Sequence, residues 1–563
     1  MRRVRMICCL AAATAWLAGT DSLAAQAQQA PVVVVSFSGY DEVLADVAHV
    51  GKLAGNEALG TMLEAALARG LQGGGLAGLD KKRPWGAVVQ TDGAGFSWYV
   101  FVPVSDLGAL LNALTPRLGK PTEASPGVWK LEPKPGQAIF VRQKGTGWAV
   151  GAPSAEVLQA VADDPLPALA DLPKTYDLAV RVNIRNIPAA VREQFLFPFR
   201  MILSQRALRR EGETEQQFRL RDRMTRQSLQ RLVTLANELD WVQVGLNIDR
   251  QASRGWLEYQ LVGAEGTATA EELHLEKEPK TDFAGFVIPG ATLSLSASSA
   301  YSQTQIRRAE DQLDGLRQRA LAELKRQGLP VPVLRQGTQI INELADIMKA
   351  TIAQGRVDMG LSLMTGQNGI ALVAGTRVAE AEKVDKLFRG LARQAVKDGL
   401  ASEDAIQLDS HQHGGVSFHT IRLSLPADVP PQVRRLTGDP LNVVLGAGQQ
   451  AAYLAVGPKA VELLNQAMDR SRAEAGKPTL PMTVVVAVGP LAQLVTTVGQ
   501  APANQMVQTL ADMLSRSEGK DHLTITTRSI PHGSSVHIEF EEDLLKVLGA
   551  LPTLAAGMVP PGP

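Results

Sequence analysis

Gly147-Trp-Ala-Val-Gly-Ala-Pro-Ser-Ala-Glu-Val-Leu158 is the stretch on which the fold turns, because it returns as Gln450-Ala-Ala-Tyr-Leu-Ala-Val-Gly-Pro-Lys-Ala-Val-Glu-Leu-Leu464. Each copy reads as a short apolar strand that stops at a glycine, turns through a proline and starts an amphipathic helix. A proline in the first helical turn gives up no hydrogen bond, since that N–H has no partner there.

The flanks repeat as well. Upstream, Gly86–Thr91 and Phe96–Val102 read as a hairpin around Asp92-Gly-Ala-Gly95, and Val357–Met364 and Ile370–Thr376 as another around Thr365-Gly-Gln-Asn-Gly369. A helix follows each hairpin. Leu107, Leu110, Leu111 and Leu114 fall at i, i+3, i+4 and i+7, as do Val384, Leu387, Phe388 and Leu391, which is the spacing of one core-facing stripe. Downstream, Leu178–Ile184 and Thr483–Val488 each lead through a proline into helix and then into a hairpin.

Strands Val32–Val35 and Ala291–Ser296 open the two series. The first is followed by helices over Tyr40–Ala54 and Glu57–Leu71, the second by helices over Tyr301–Arg326 and Gln339–Ala353. The expected fold is therefore α+β, with two tandem homologous halves, each a mainly antiparallel sheet with helices packed on it. The halves span 28–275 and 285–552, with a charged linker at 276–284 and a Pro/Gly tail at 553–563.

Residues 1–27 read as a secretory signal peptide: Arg2, Arg3 and Arg5, an apolar run Met6–Leu17, and small residues with possible cleavage after Ala24, Ala25 or Ala27. The implied location is periplasmic or extracellular. Cys8 and Cys9 both lie in this segment, so the mature chain would be cysteine-free, without a disulfide or thiolate chemistry. Loss of the segment turns 57 basic and 57 acidic residues into 54 and 56, a net charge of −2. That balance gives no footprint for nucleic acid, and no mature stretch is apolar enough to span a bilayer.

The two halves differ in three ways. The first half carries a helical insertion at about 200–235, with eight arginines and four acids between Ser204 and Arg231. Arg209, Arg210, Arg219 and Arg223 could grip an anionic partner. The plainer alternative is a solvated helix held by i,i+4 pairs such as Glu215 with Arg219 and Asp222 with Arg226. The second difference is tryptophan: all six beyond Trp16 lie in the first half. Trp98, Trp129 and Trp148 could stack a sugar ring or cup an apolar ligand, against core packing as the alternative. The third is histidine. His411, His413 and His419, near Asp409, sit on a loop entering a strand, and His411 and His413 would project to one side if extended. They are candidate metal ligands, against a surface loop as the alternative.

Known catalytic motifs do not fit. Gly73-x-Gly75-x-x-Gly78 follows a helix rather than a strand, and there is no Gly-x-Ser-x-Gly or His-Glu-x-x-His. With its signal segment, Ala/Gly/Leu-rich body and α+β repeats, the chain resembles uncharacterised exported proteins of Gram-negative, planctomycete-like bacteria. The resemblance carries no diagnostic motif and implies no site residue. The expected function is an exported, non-enzymatic binding protein with no cofactor, its ligand an envelope lipid or polysaccharide. A structural or interaction role in the envelope stands second. A hydrolase with dispersed carboxylates or a histidine metal site stands third.

Overall fold

The computed structural model describes residues 29–71, 76–206, 215–366, 369–397, 402–425, 429–498, 512–514 and 519–557. The expected signal segment, Arg209, Arg210 and residues 558–563 lie outside them. The chain divides into two units. One runs to Ala270 and takes in the residues from Leu545 onward; the other is Glu271–Leu544. Both combine helices with antiparallel sheet, and the fold is α+β.

In the first unit the β-branched run becomes β1 (Ala30–Phe37), and the first hairpin becomes β2 (Trp85–Thr91) and β3 (Phe96–Pro103). There follow β4 (Thr122–Ser125), β5 (Val128–Lys134), β6 (Gln137–Lys144), β7 (Trp148–Ala152), β8 (Leu178–Asn183), β9 (Leu239–Asp249) and β10 (Arg254–Gly263). Every pairing is antiparallel, in the spatial order β10-β9-β8-β1-β2-β3-β7-β6-β5-β4. Side chains alternate across such a sheet, and β7 shows the result. Trp148 and Val150 join Tyr99 and Phe101 in one core, while Ala149 joins Leu110, Leu111, Leu131 and Val141 in another.

The second unit holds β11 (Leu293–Ala300), β12 (Arg356–Gly366), β13 (Gly369–Arg377), β14 (Ile406–His413), β15 (Val416–Leu423), β16 (Leu441–Gly448), β17 (Ala451–Val456), β18 (Met482–Ala487), β19 (His522–Ile530) and β20 (Gly533–Phe540). Its antiparallel order is β20-β19-β18-β11-β12-β13-β17-β16-β15-β14. On one face, Gly375 and Gly446 leave no room for a Cβ because Phe283, Phe286 and Phe418 lie on them. These rings and Tyr453 form the aromatic centre of that core.

The structure departs from the sequence reading at several boundaries. Residues 276–284 do not form a free linker. Thr281 and Phe283 are buried, the Thr281 hydroxyl donates to Asp358 Oδ1 at 2.6 Å, and the Asp282 N–H donates to Asp358 Oδ2 at 2.9 Å. The charged residues before them suggested a connector, but Thr281 and Phe283 supply the contacts that dock the segment. The first unit ends at Ala270 rather than at 275. The last helix runs Glu542–Gly557, and its residues from Leu545 count with the first unit rather than extending the second to 552. The helix expected from Gln339 begins at Val331, with Pro330 and Pro332 accommodated at its start, where no N–H is needed.

The repeated motif also needs a correction. Pro153 stands one residue before the cap Ser154, whose Oγ accepts from the Val157 N–H at 3.4 Å, and Pro458 stands before the cap Lys459. Neither proline is inside its helix. The glycines ahead of them differ as well. Gly457 sits at φ +105°, and an added Cβ would lie 2.1 Å from the Ile370 carbonyl oxygen. Gly151 lies outside the left-handed region, and its added Cβ would meet nothing nearer than 3.4 Å. Gly457→Ala should therefore destabilise the second unit by about 2 kcal/mol or more. Gly151→Ala should stay within about 1 kcal/mol of wild type. Denaturant unfolding of the two variants makes the comparison, and equal losses would contradict it.

Candidate ligand-binding site

The helix Ala381–Lys397 presents Val384, Leu387, Phe388 and Leu391 to the second unit's sheet. The face it covers can be read from the register. His419 on β15 pairs with Leu445 on β16, Leu445 with Leu454 on β17, and Leu454 with Ala374 on β13. Two residues along, Ala447 pairs with Ala452 and Ala452 with Thr376. This face is therefore opposite to the one carrying Phe418 and Tyr453.

Three alanines on the face leave space that the helix does not fill. The result is a cavity of about 330 Å³, roofed by the four-residue stripe and flanked by Leu344. Leu344 is 45% exposed, so the apolar lining continues out to solvent. Ligand pockets commonly hold about 300–1,000 Å³, and here only Thr376, Asp385 and His419 interrupt the apolar wall.

Asp385 and His419 belong to a closed network. His419 is 1% exposed, and its ring stacks against Phe388 with centroids 5.2 Å apart. Its Nδ1 accepts from the Asp409 backbone N–H at 2.9 Å, which places the ring proton on Nε2, donating to Asp385 Oδ1 at 2.7 Å. Arg389, one turn beyond Asp385, donates to it through Nε at 2.8 Å. Its two Nη groups form a fork on Asp409, at 2.7 and 2.9 Å. The Ser417 hydroxyl donates to Asp409 Oδ1 at 2.5 Å.

Asp409 can turn back toward Arg389 because β14 is irregular there, with φ +53° at that residue and a register shift between Gln407 and His411. The Arg389 and Ser417 hydrogen bonds hold Asp409 well below the usual carboxylate range. Burial alone would raise Asp385, but the hydrogen bonds from Arg389 and His419 outweigh it and bring it below its ordinary value. The same two carboxylates push Arg389 up.

Chemically, this network clamps. Both nitrogens of His419 are engaged, so it has no free lone pair for general-base work, and Ser417 donates to a carboxylate rather than to an imidazole.

The histidines named from sequence are split by the sheet. Their segment 406–413 is strand β14 rather than a loop; its polar residues hid the strand because it pairs on one side only among the described residues. His411 and His413 do share a face. His411 stacks on Phe418 with centroids 4.8 Å apart, and His413 Nε2 lies 2.7 Å from Asp469 Oδ1. His419 lies on the other face. Among the described residues, the only group with metal-ligand spacing is Glu42, Asp46 and Asp177.

The tryptophans do not converge. Trp148 is buried against Phe101, edge to face at 5.5 Å, with the Arg83 guanidinium 4.1 Å over its ring. Trp129 packs with the core on the opposite face, and Trp98 alternates with the buried Tyr99, so it too faces away from Trp148. On the helix Glu215–Glu238, Arg219 pairs with Glu215 and Arg226 with Asp222, each at 2.8 Å, and Arg223 is exposed.

A second cavity in this unit, about 460 Å³, mixes charged residues with Phe283, Phe286 and Tyr453 of the aromatic core. Its Arg377 is paired with Asp282 at 3.7 Å and its Arg472 with Asp469 at 3.7 Å, so both cations are already matched. Sequence reading had placed the stripe Val384–Leu391 in the core. The signal it missed is the small size of Ala374, Ala447 and Ala452 opposite that stripe.

No protein-family model matches the chain, and no curated protein or solved structure matches it either.

Two outcomes follow from the network. Truncating His419→Ala should cost about 2–3 kcal/mol, because it opens a buried void and takes a partner from Asp385. Because Asp385 and Asp409 titrate lower when folded, the unfolded chain binds protons more tightly. Their contribution is therefore present above about pH 4 and is lost as the pH falls through the lowered values. Arg389→Ala should flatten that acid-side loss, read from thermal unfolding of both proteins between pH 7 and 2.5.

Proposed function

We propose that this chain is an exported, non-catalytic binding protein whose ligand carries an acyl chain or an apolar group of similar girth. The apolar cavity between the helix Ala381–Lys397 and β13, β16 and β17 carries this reading. Its wall offers dispersion contact and desolvation to a hydrocarbon, but few partners for the hydroxyls of a sugar. A lipid is thus favoured over a polysaccharide. The basic, apolar and small-residue order of the first 27 residues supports export. We also take the two units as descendants of one duplicated half. The equivalent strand orders and the shared strand–glycine–proline–helix segment support that view.

A second reading, an interaction role in the envelope, draws on the helix Ala189–Arg206, where Phe195 and Phe197 are 59% and 61% exposed.

A dodecanoate labelled with an environment-sensitive fluorophore tests the first reading. Wild type should bind it saturably, and Ala447→Trp, which fills the cavity, should weaken binding at least about tenfold. Trp98→Phe should leave it unchanged. Binding that survives Ala447→Trp but is lost in Phe195→Ser/Phe197→Ser would move the function to the exposed helix. No saturable binding by wild type would end the acyl-chain reading.

A further inference from the structure

The helix Tyr40–Leu53 starts directly after β1 and places Glu42 and Asp46 one turn apart on one face. Asp177 immediately precedes β8, whose Leu178 pairs with Phe37 at the end of β1. Asp177 is fixed from two sides: the Ser38 hydroxyl donates to its Oδ1 at 3.4 Å, and the Ile248 N–H donates to its Oδ2 at 2.7 Å. Arg250, just beyond β9, donates to Glu42 Oε1 at 2.7 Å. One carboxylate oxygen from each of Glu42, Asp46 and Asp177 lies within 4.8 Å of the other two.

Asp46 is the residue these pairings leave unexplained. It is 2% exposed, yet neither of its carboxylate oxygens receives a hydrogen bond. Arg250 Nη1 stands 3.3 Å from Oδ1 without hydrogen-bond geometry. A carboxylate removed from water costs several kcal/mol unless it is paired. The three carboxylates and one guanidinium leave an excess of two negative charges at the point where the helix meets the strand ends.

We propose that Glu42, Asp46 and Asp177 bind a hard divalent cation, with Ca²⁺ the best match. Calcium takes oxygen ligands at about 2.3–2.6 Å, so oxygens across the ion stand up to roughly 5 Å apart, which suits this spacing. An all-carboxylate donor set selects Ca²⁺, Mg²⁺ or Mn²⁺ over softer metals. One divalent ion cancels the excess charge, and Glu42, the exposed member, leaves a side open for water to complete the shell. A bound ion would join the first turns of the helix to the ends of β1, β8 and β9. The site lies wholly in the first unit, so its failure would leave the cavity reading untouched.

Calorimetric titration of the full mature chain with CaCl₂ and with MgCl₂ at pH 8, after EDTA treatment, tests it. The expected result is one ion per chain and a higher unfolding temperature with the cation than in EDTA. Asp46→Asn should abolish both effects. Glu42→Gln changes only an exposed side chain; it should unfold near wild type in EDTA but bind at least about tenfold more weakly. Absence of heat and of any thermal shift with millimolar Ca²⁺ or Mg²⁺ overturns the proposal. So does unchanged binding in Asp46→Asn and Glu42→Gln. A wild type that takes no cation, with an Asp46→Asn variant more stable than it, would instead identify carboxyl groups sharing a proton and would also overturn it.

Discussion

The pleat of a β-strand sends neighbouring side chains to opposite faces, and the second unit depends on that constraint more than on any single contact. Along β16 and β17, residues alternate between a face that must hold aromatic rings and one that supports a helix. Gly375 and Gly446 let Phe283, Phe286 and Phe418 settle directly on the backbone. Their neighbours, Ala374, Leu445 and Ala447, necessarily face the other way. One face thus carries rings seated on glycines, while the other, built from small residues, keeps a space under its helix. Moving the register by one residue would place the rings where the cavity is and the alanines where the rings are.

The helix over that space is held electrostatically as well as by its apolar stripe. Arg389 stands between Asp385 on its own helix and Asp409 on β14 and holds both. His419 reaches the same helix from beneath. These charge-assisted bonds cluster around two turns of the helix, so the lining farther along, at Leu391, is positioned by packing alone.

Much of the fold was legible because it rests on local periodicity. The hairpin 85–103 and the stripe Leu107–Leu114 announce themselves through spacing and glycine-bearing turns. What escaped detection depends on partners distant in sequence. Strand β14 has no apolar alternation, since among the described residues only one of its sides is paired. The segment 276–284 looks like a connector until Asp358 is seen to accept from both Thr281 and Asp282. The cavity escaped for the same reason, as three alanines on three strands mean nothing until register puts them side by side. The histidines illustrate the converse. Adjacency in sequence suggested a cluster, but the sheet puts His419 on one side and His411 and His413 on the other.

The ends of the two strand orders have a consequence of their own. A wide antiparallel sheet exposes unpaired amides and carbonyls along its outermost strands, and these can template the addition of another chain. Strand β4 is four residues long, and every one of them, Thr122–Ser125, is exposed. Strand β14 is longer, but it is polar and its ladder is broken at Asp409. One border is too short to recruit a partner strand, and the other is too kinked and hydrophilic. Each sheet therefore has, at the border formed by β4 or β14, a strand that is a poor template for another chain.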